Sequence, residues 1–279
     1  MEIFEKLGLE YIPPELREGV GELEAAEIRK IPHLIEEKDL KGVFHVHTNY
    51  SDGNMTIPEI IKVCQKLGYS YVGISDHSQS AAYANGLKEE DILKQRKEIK
   101  KINKTLNKFK IFHGIEADIL PNGQMDYDQK ILSGFDFVIA SVHSNFKMGE
   151  DEMTARLIKA IENKYVTMLG HPTGRLLLAR EPYAVNLKNV IDAAAYNNVI
   201  IELNSNPLRL DLDWRWCRYA KEKKVKISIN PDAHNLRGLN HTVFGVEIAR
   251  KGWLTKEDCF NTLTTNEIKT YLASKKEAK

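Results

Sequence analysis

The chain has 279 residues, with 40 Lys and Arg against 39 Asp and Glu, a formal net charge of +1 and a hydrophobic fraction of 42%. That balance is ordinary for a globular protein, argues against disorder, and carries no electrostatic signature of nucleic-acid binding by itself. No apolar run is long enough to span a bilayer, the start Met1-Glu2-Ile3-Phe4 lacks a signal-peptide pattern, and Cys64, Cys217 and Cys259 read as free thiols in a reducing cytoplasm.

Residues 1–40 are turn-rich at Tyr11-Ile12-Pro13-Pro14, charged over 18–30, broken again at Pro32, and free of ligand-type motifs. They read as a linker, or the remnant of a preceding domain, packed on the outside of the rest or loosely ordered. From residue 41 onward, short apolar runs alternate with amphipathic stretches. A strand is expected over 43–46 and a helix over 58–67, with Thr56 as cap and Pro58 in the first turn. The strand at 71–74 leads to a helix at 89–106, whose run from Lys94 to Lys108 reads as a solvated basic face. Strands follow at 111–115 and 135–140, then a helix at 151–163. The strand at 166–169 precedes a helix at 187–196, and the one at 199–203 a helix at 214–223. A last strand is expected at 225–229. Such alternation implies parallel strands joined by right-handed crossovers. A barrel of this α/β kind usually has eight strands, so seven imply a distorted (β/α)7 barrel.

Six of the nine histidines stand where an expected strand runs into a loop: His45 and His47 as a His-x-His pair, His77, His143, His171 and His234. Asp52, Glu116 and Asp232 occupy equivalent places. Imidazole nitrogens and carboxylate oxygens are the donors that zinc and transition metals take when no thiolate is offered. On a strand, His45 and His47 share a face. A single histidine at a strand end is ordinarily a hydrogen-bonded residue, and His33, His113 and His241 are given that reading. Nine dispersed groups at strand ends point instead to one large site holding two or three divalent ions, at the end of the barrel where such folds carry their chemistry. Three carboxylates do not neutralise even two such ions, so the pocket attracts phosphate.

These motifs carry a resemblance. His45-Val46-His47-Thr48 with Ser51-Asp52-Gly53, Ser75-Asp76-His77, Gly114-Ile115-Glu116, Ser141-Val142-His143, Gly170-His171-Pro172 and Asp232-Ala233-His234 resemble, in this order, the PHP (polymerase and histidinol phosphatase) superfamily. Within it the chain is most similar to the C-terminal PHP domain of bacterial family X DNA polymerases. The runs that carry this are Asn85-Gly86-Leu87, His171 to Leu176, Glu202-Leu203-Asn204, Asn206-Pro207, Arg209 to Leu212 and Arg250 to Trp253. Tyr11 to Arg17 resembles the end of that polymerase's thumb, which makes residues 1–40 its remnant and 41–279 the phosphoesterase domain. Pro231 and Val43 depart from the common pattern, and neither removes a ligand. The resemblance implies a seven-stranded barrel with up to three metals and hydrolysis of phosphate esters. It also implies the partition: one ion on His45, His47, Glu116 and Asp232; a second on Glu116, His143 and His171; a third on Asp52, His77 and His234.

Glu116, as bridge, and Asp232 are therefore expected to be catalytic, together with Arg175, whose guanidinium suits two phosphate oxygens at once. Arg175, Asn204, Asn206 and Arg209 are expected on the substrate side, and Trp214 or Trp216 is a candidate for stacking on bases. Zinc, manganese or iron all suit this ligand mixture. The expected function is phosphoester hydrolysis at DNA 3′ ends in repair, as exonuclease or 3′-phosphatase. A small-molecule phosphatase of the histidinol-phosphate type and a non-catalytic scaffold module are the alternatives. The resemblance also makes a polymerase core an expected partner in a longer protein, and without the palm domain and its polymerase aspartates this chain is not expected to synthesise DNA.

Overall fold

In the computed structural model, which describes residues 2–277, seven parallel strands follow one another around a single sheet in sequence order. They are β1 (Gly42–Val46), β2 (Tyr71–Ile74), β3 (Lys110–Asp118), β4 (Phe137–Ser141), β5 (Met168–Leu169), β6 (Ile200–Asn204) and β7 (Ile227–Asn230). The sheet curls until β1 meets the end of β7. Val46 bridges Ala233, His47 N donates to Ala233 O at 3.0 Å, and Ala233 N donates to His45 O at 3.2 Å. Lower on the same seam the buried Asn261 side chain donates to Gly42 O at 3.3 Å and Ile229 O at 3.0 Å, and accepts from Ile229 N at 2.6 Å. The barrel is closed by these few bonds rather than by an eighth strand.

Helices α1 (Glu2–Lys6) and α2 (Glu22–Glu27) precede the barrel. Between the strands run α3 (Ile57–Lys66), α4 (Glu89–Thr105), α5 (Gln129–Ser133), α6 (Glu150–Ile161), α7 (Leu187–Asn197) and α8 (Trp214–Glu222). Two more, α9 (Thr242–Lys251) and α10 (Thr265–Glu277), follow β7. The start of α3 shows why these segments are helical. Thr56 N and Oγ1 both donate to Glu59 at 2.9 and 2.6 Å, and Pro58 needs no backbone donor in the first turn. Buried Ile57, Ile60, Ile61 and Cys64 then recur at helical spacing against the sheet. The expected helices and strands are found within a few residues of their expected ends, except that β3 runs on to Asp118 and β5 keeps only Met168–Leu169.

Alternation along the strands sorts the interior by height. Phe44, Tyr71, Phe112, Phe137, Ile139, Met168 and Ile200 pack with Phe260, Ile268 and Leu272 into a cluster separate from the helix–sheet core. Gly114 is needed there, because a Cβ on it would lie 2.3 Å from Phe137 Cζ. Two residues further along the same faces stand Glu116, beyond Gly114, and Glu202, beyond Ile200. One face of the strands is thus aromatic and dry at one end, sealed by α10, and acidic at the other.

Residues 9–35 lie on the outside, against α9. Ile12, Leu16, Ala26, Leu34 and Trp253 form their own buried cluster, with Glu15 paired to Arg250 at 2.6 Å and Glu18 to Lys251 at 2.6 Å. Among the described residues no helix is long and apolar enough to cross a membrane.

Candidate metal centre

All nine expected groups converge at the C-terminal ends of the strands. β1 supplies His45 and, just past its end, His47. The pair shares a face through a bulge rather than through plain alternation: the register of β1 on β2 shifts between Val43 and Val46, and His45 has φ 57°. Its ring centroid lies 5.2 Å from that of His47. Asp232, at φ 48°, and His171, at φ 20°, are also held in positive-φ backbone that a side chain disfavours, a strain the surrounding structure must support.

Glu116 is the hub. Its Oε1 lies 3.1 Å from His45 Nε2, 3.2 Å from His143 Nε2 and 2.9 Å from His171 Nε2. Its Oε2 lies 3.0 Å from His77 Nδ1 and 3.6 Å from His47 Nε2. Asp232 Oδ1 approaches His47 Nε2 at 3.2 Å, His45 Nε2 at 3.5 Å and His234 Nδ1 at 3.7 Å. Asp52 stands 3.3 Å from His234 Nε2, 3.6 Å from His77 Nε2 and 3.7 Å from His47 Nδ1.

Four overlapping groups have donor atoms within 4.8 Å of one another: His47, Asp52, His77 and His234; His45, Glu116 and His171; His45, His47 and Asp232; His77, Glu116 and His143. Glu116 belongs to two of them. His45, His47 and His77 also stand in two groups each, so the donor sets are less separate than the partition expected from the sequence.

The donor set fits cations rather than mutual hydrogen bonds. His45 Nε2, both nitrogens of His47, His77 Nδ1 and Glu116 Oε2 are buried without a hydrogen-bond partner, although several lie within touching distance of one another. Atoms that crowd one point without aligning on each other are expensive to bury unless something occupies that point. Burial lowers the pKa of His77 and of His171 to about 4, so both rings are neutral and ready to donate a lone pair. For His143, burial opposes charge, but Glu116 and Asp118 outweigh it and raise the pKa to about 10. Burial likewise opposes the charge of Glu116, and the surrounding histidines nonetheless hold its carboxyl well below the usual range.

The PHP domain family matches residues 44–206, the stretch that carries seven of these nine groups. The chain belongs to the PHP family. DNA polymerase/3′-5′ exonuclease PolX of Bacillus subtilis (strain 168) is 41% identical over 271 residues, covering 97% of this chain and 47% of that protein. The chain therefore spans about half the length of that relative. A protein of Thermoanaerobacter sp. (strain X514) named as a probable phosphatase is 28% identical over 83% of this chain and 94% of its own length. Among solved structures, a histidinol phosphate phosphatase from Lactococcus lactis, complexed with zinc, L-histidinol and phosphate, shares the fold. Its TM-score is 0.52 at 15% identity, over 75% of this chain and 93% of that one.

Around the PHP cluster stands a second layer of carboxylates that sequence reasoning passed over. Glu202, fully buried, takes His45 Nδ1 at 2.6 Å and accepts from His171 N at 2.7 Å and Asn230 Nδ2 at 2.9 Å. Asp118 takes His143 Nδ1 at 2.6 Å. Asp76 accepts from Thr48 N at 2.7 Å, Ser51 Oγ at 2.5 Å and Gln95 Nε2 at 2.6 Å, fixing the loop that carries Asp52. Bonds of this kind set tautomer and ring orientation in metal-binding histidines. The signal was present in Ile-Ile-Glu-Leu-Asn, since an acidic residue inside a buried strand needs partners.

Of the two arginines expected on the substrate side, Arg209 reaches the cluster and Arg175 does not. Arg175 was expected as a phosphate fork, but its guanidinium is spent on the chain: Nε donates to Arg209 O at 2.8 Å, Nη1 to Asp213 at 2.9 Å, and Nη2 to Leu210 O. Arg209 instead reaches the cluster, with Nε 3.2 Å from Asp232 Oδ2 and a buried Nη1 that has no partner. Arg175 thus braces the loop that presents Arg209. Asn204 Nδ2 donates to Asp232 Oδ2 at 3.0 Å, whereas Asn206 spends its side chain on Leu208 N at 3.0 Å, within its own turn. Trp216 packs against the core, and Trp214 lies under Lys251 Nζ at 4.9 Å, so both are engaged on the outer helix α8. His33, His113 and His241 take no part in the cluster.

Proposed function

We propose that this chain, a metal-dependent phosphoesterase of the PHP family, hydrolyses phosphate esters at DNA 3′ ends, as a 3′-5′ exonuclease or 3′-phosphatase in repair. The observation that carries the DNA reading is the 41% identity with the PolX protein along 97% of this chain. His45, His47, Asp52, His77, Glu116, His143, His171, Asp232 and His234 would hold two to three divalent ions, zinc, manganese or iron, with Glu116 shared. Bound there, such ions lower the pKa of a water and clamp the entering and leaving oxygens of an in-line displacement.

The chain's own residues supply the rest. Glu202 and Asp118 fix His45 and His143 so that their Nε2 atoms face Glu116. Asn204 and Arg209 hold Asp232 from the side away from the histidines. Arg209 Nη1, buried and unpaired, takes a phosphate oxygen and orients the ester. Arg209→Ala is expected to lower kcat/KM about tenfold or more, roughly 1.4 kcal/mol. Arg175→Ala, acting only through the loop, should have a smaller effect. Steady-state kinetics on one phosphate ester compares the two, and an equal or reversed order would return the fork to Arg175.

A second reading, hydrolysis of a small monoester, is favoured by the phosphatase relative that aligns over 94% of its own length. A scaffold without activity has no physical need of nine converging donors. In the DNA reading, residues 2–40 adjoin a polymerase core in a longer protein. The deciding experiment measures kcat/KM on a 3′-recessed duplex, a 3′-phosphorylated oligonucleotide and histidinol phosphate, with manganese, at two salt concentrations. A polymer held through phosphate contacts beyond the pocket should be cleaved markedly more slowly as salt rises. A hundredfold preference for histidinol phosphate, about 2.7 kcal/mol, would overturn the DNA reading.

A further inference from the structure

Just beyond His77 the chain makes a loop that is fixed at both ends. Leu87 N donates to His77 O at 2.8 Å, and Ala81 O accepts from Ala84 N at 2.9 Å and from Gly86 N at 3.0 Å. Ser78 bridges Leu87, and the buried Tyr127 hydroxyl donates to Leu87 O. Gly86 passes so close that a Cβ there would lie 1.8 Å from Ser78 O, so no other residue closes this turn without moving it. The tip of the loop is a 3-10 turn, Ala82–Ala84, and it presents Tyr83.

Tyr83 is 70% exposed as a residue, yet its ring centroid stands 6.1 Å from that of His77 and 6.5 Å from that of His143. It meets the His143 ring edge-on, at 74°. An aromatic ring left in water contributes little to the core, and here a braced turn holds one at the mouth of the metal centre. Such a ring offers a flat apolar face to whatever enters. In the reading above Arg209 takes the phosphate, so a ring on the alcohol of such an ester is what Tyr83, beside His77 and His143, would meet.

We propose that Tyr83 is a stacking platform for a planar ring on the leaving alcohol, so that it selects phosphate esters whose alcohol carries a nucleobase. This rests on the phosphoesterase reading above and supplies a specificity residue for it. Stacking needs only a π-face, so the platform takes any base.

The test compares the metal-loaded wild type, Tyr83→Phe and Tyr83→Ala on thymidine 3′-monophosphate and on the base-free 1,2-dideoxyribose 3-monophosphate. Wild type and Tyr83→Phe should favour the thymidine ester in kcat/KM by about tenfold or more, the size of one lost base–aromatic stack, and Tyr83→Ala should lose that preference. An unchanged preference in Tyr83→Ala, or none in the wild type, overturns the proposal. If the wild type hydrolyses neither ester, the 3′-phosphatase form of that reading fails, and binding then decides Tyr83 by itself. The fluorescence of 2-aminopurine riboside 3′-monophosphate should be quenched by wild type and Tyr83→Phe but not by Tyr83→Ala. Equal quenching by all three contradicts the platform.

Discussion

Glu116→Ala should lower phosphoester hydrolysis at least a thousandfold, about 4 kcal/mol of transition-state stabilisation, and should lower metal content with it. No other carboxylate of the cluster touches as many imidazoles: five rings lie within 3.6 Å of its two oxygens. Removing it takes a ligand from two of the overlapping donor groups at once and leaves His45 and His143 without the carboxylate between them. Glu116→Gln keeps the volume and serves as the control for folding, read by circular dichroism. Turnover within a few-fold of wild type in the alanine variant would refute the bridging assignment.

Glu202→Gln should weaken metal affinity or activity by about ten- to a hundredfold without touching an ion, the usual size for an outer partner of a ligating histidine. Its oxygens fix both His45 Nδ1 at 2.6 Å and the backbone of His171 at 2.7 Å, so one substitution loosens ligands from two strands. A glutamine amide keeps one acceptor but brings a donor to a place where the chain already donates. The variant should regain activity as manganese is raised, with an unfolding midpoint near that of wild type. Loss of activity that excess metal does not relieve, with a lowered midpoint, would make Glu202 a residue of the fold alone.

Much of this site was legible because its ligands sit in short local motifs at strand ends, and the strands announce themselves as apolar runs. Each histidine could be placed without knowing which strand neighbours which. Contacts between distant strands were not legible. The bulge at His45 lies in the pairing of β1 with β2, and nothing in Val43-Phe44-His45-Val46 marks it. Arg175 and Arg209 look alike as residue types, and only the turn at 204–211 decides which guanidinium is spent on carbonyls and which reaches Asp232. The helices after β7 escaped notice for a different reason. The buried positions of α9 are Thr242, Gly245, Val246 and Ala249, mostly small or polar, so its helical stripe is faint in the sequence. The packing of residues 9–35 on that helix depends on long-range pairs such as Glu15–Arg250, which no local pattern reveals.

The metal content of the purified protein is the most direct test of this centre. Elemental analysis should find two to three divalent ions per chain. Chelation should remove them together with hydrolysis, and manganese or zinc should restore both. At most one ion per chain, or hydrolysis that survives complete stripping, would contradict a metal centre at these nine converging groups.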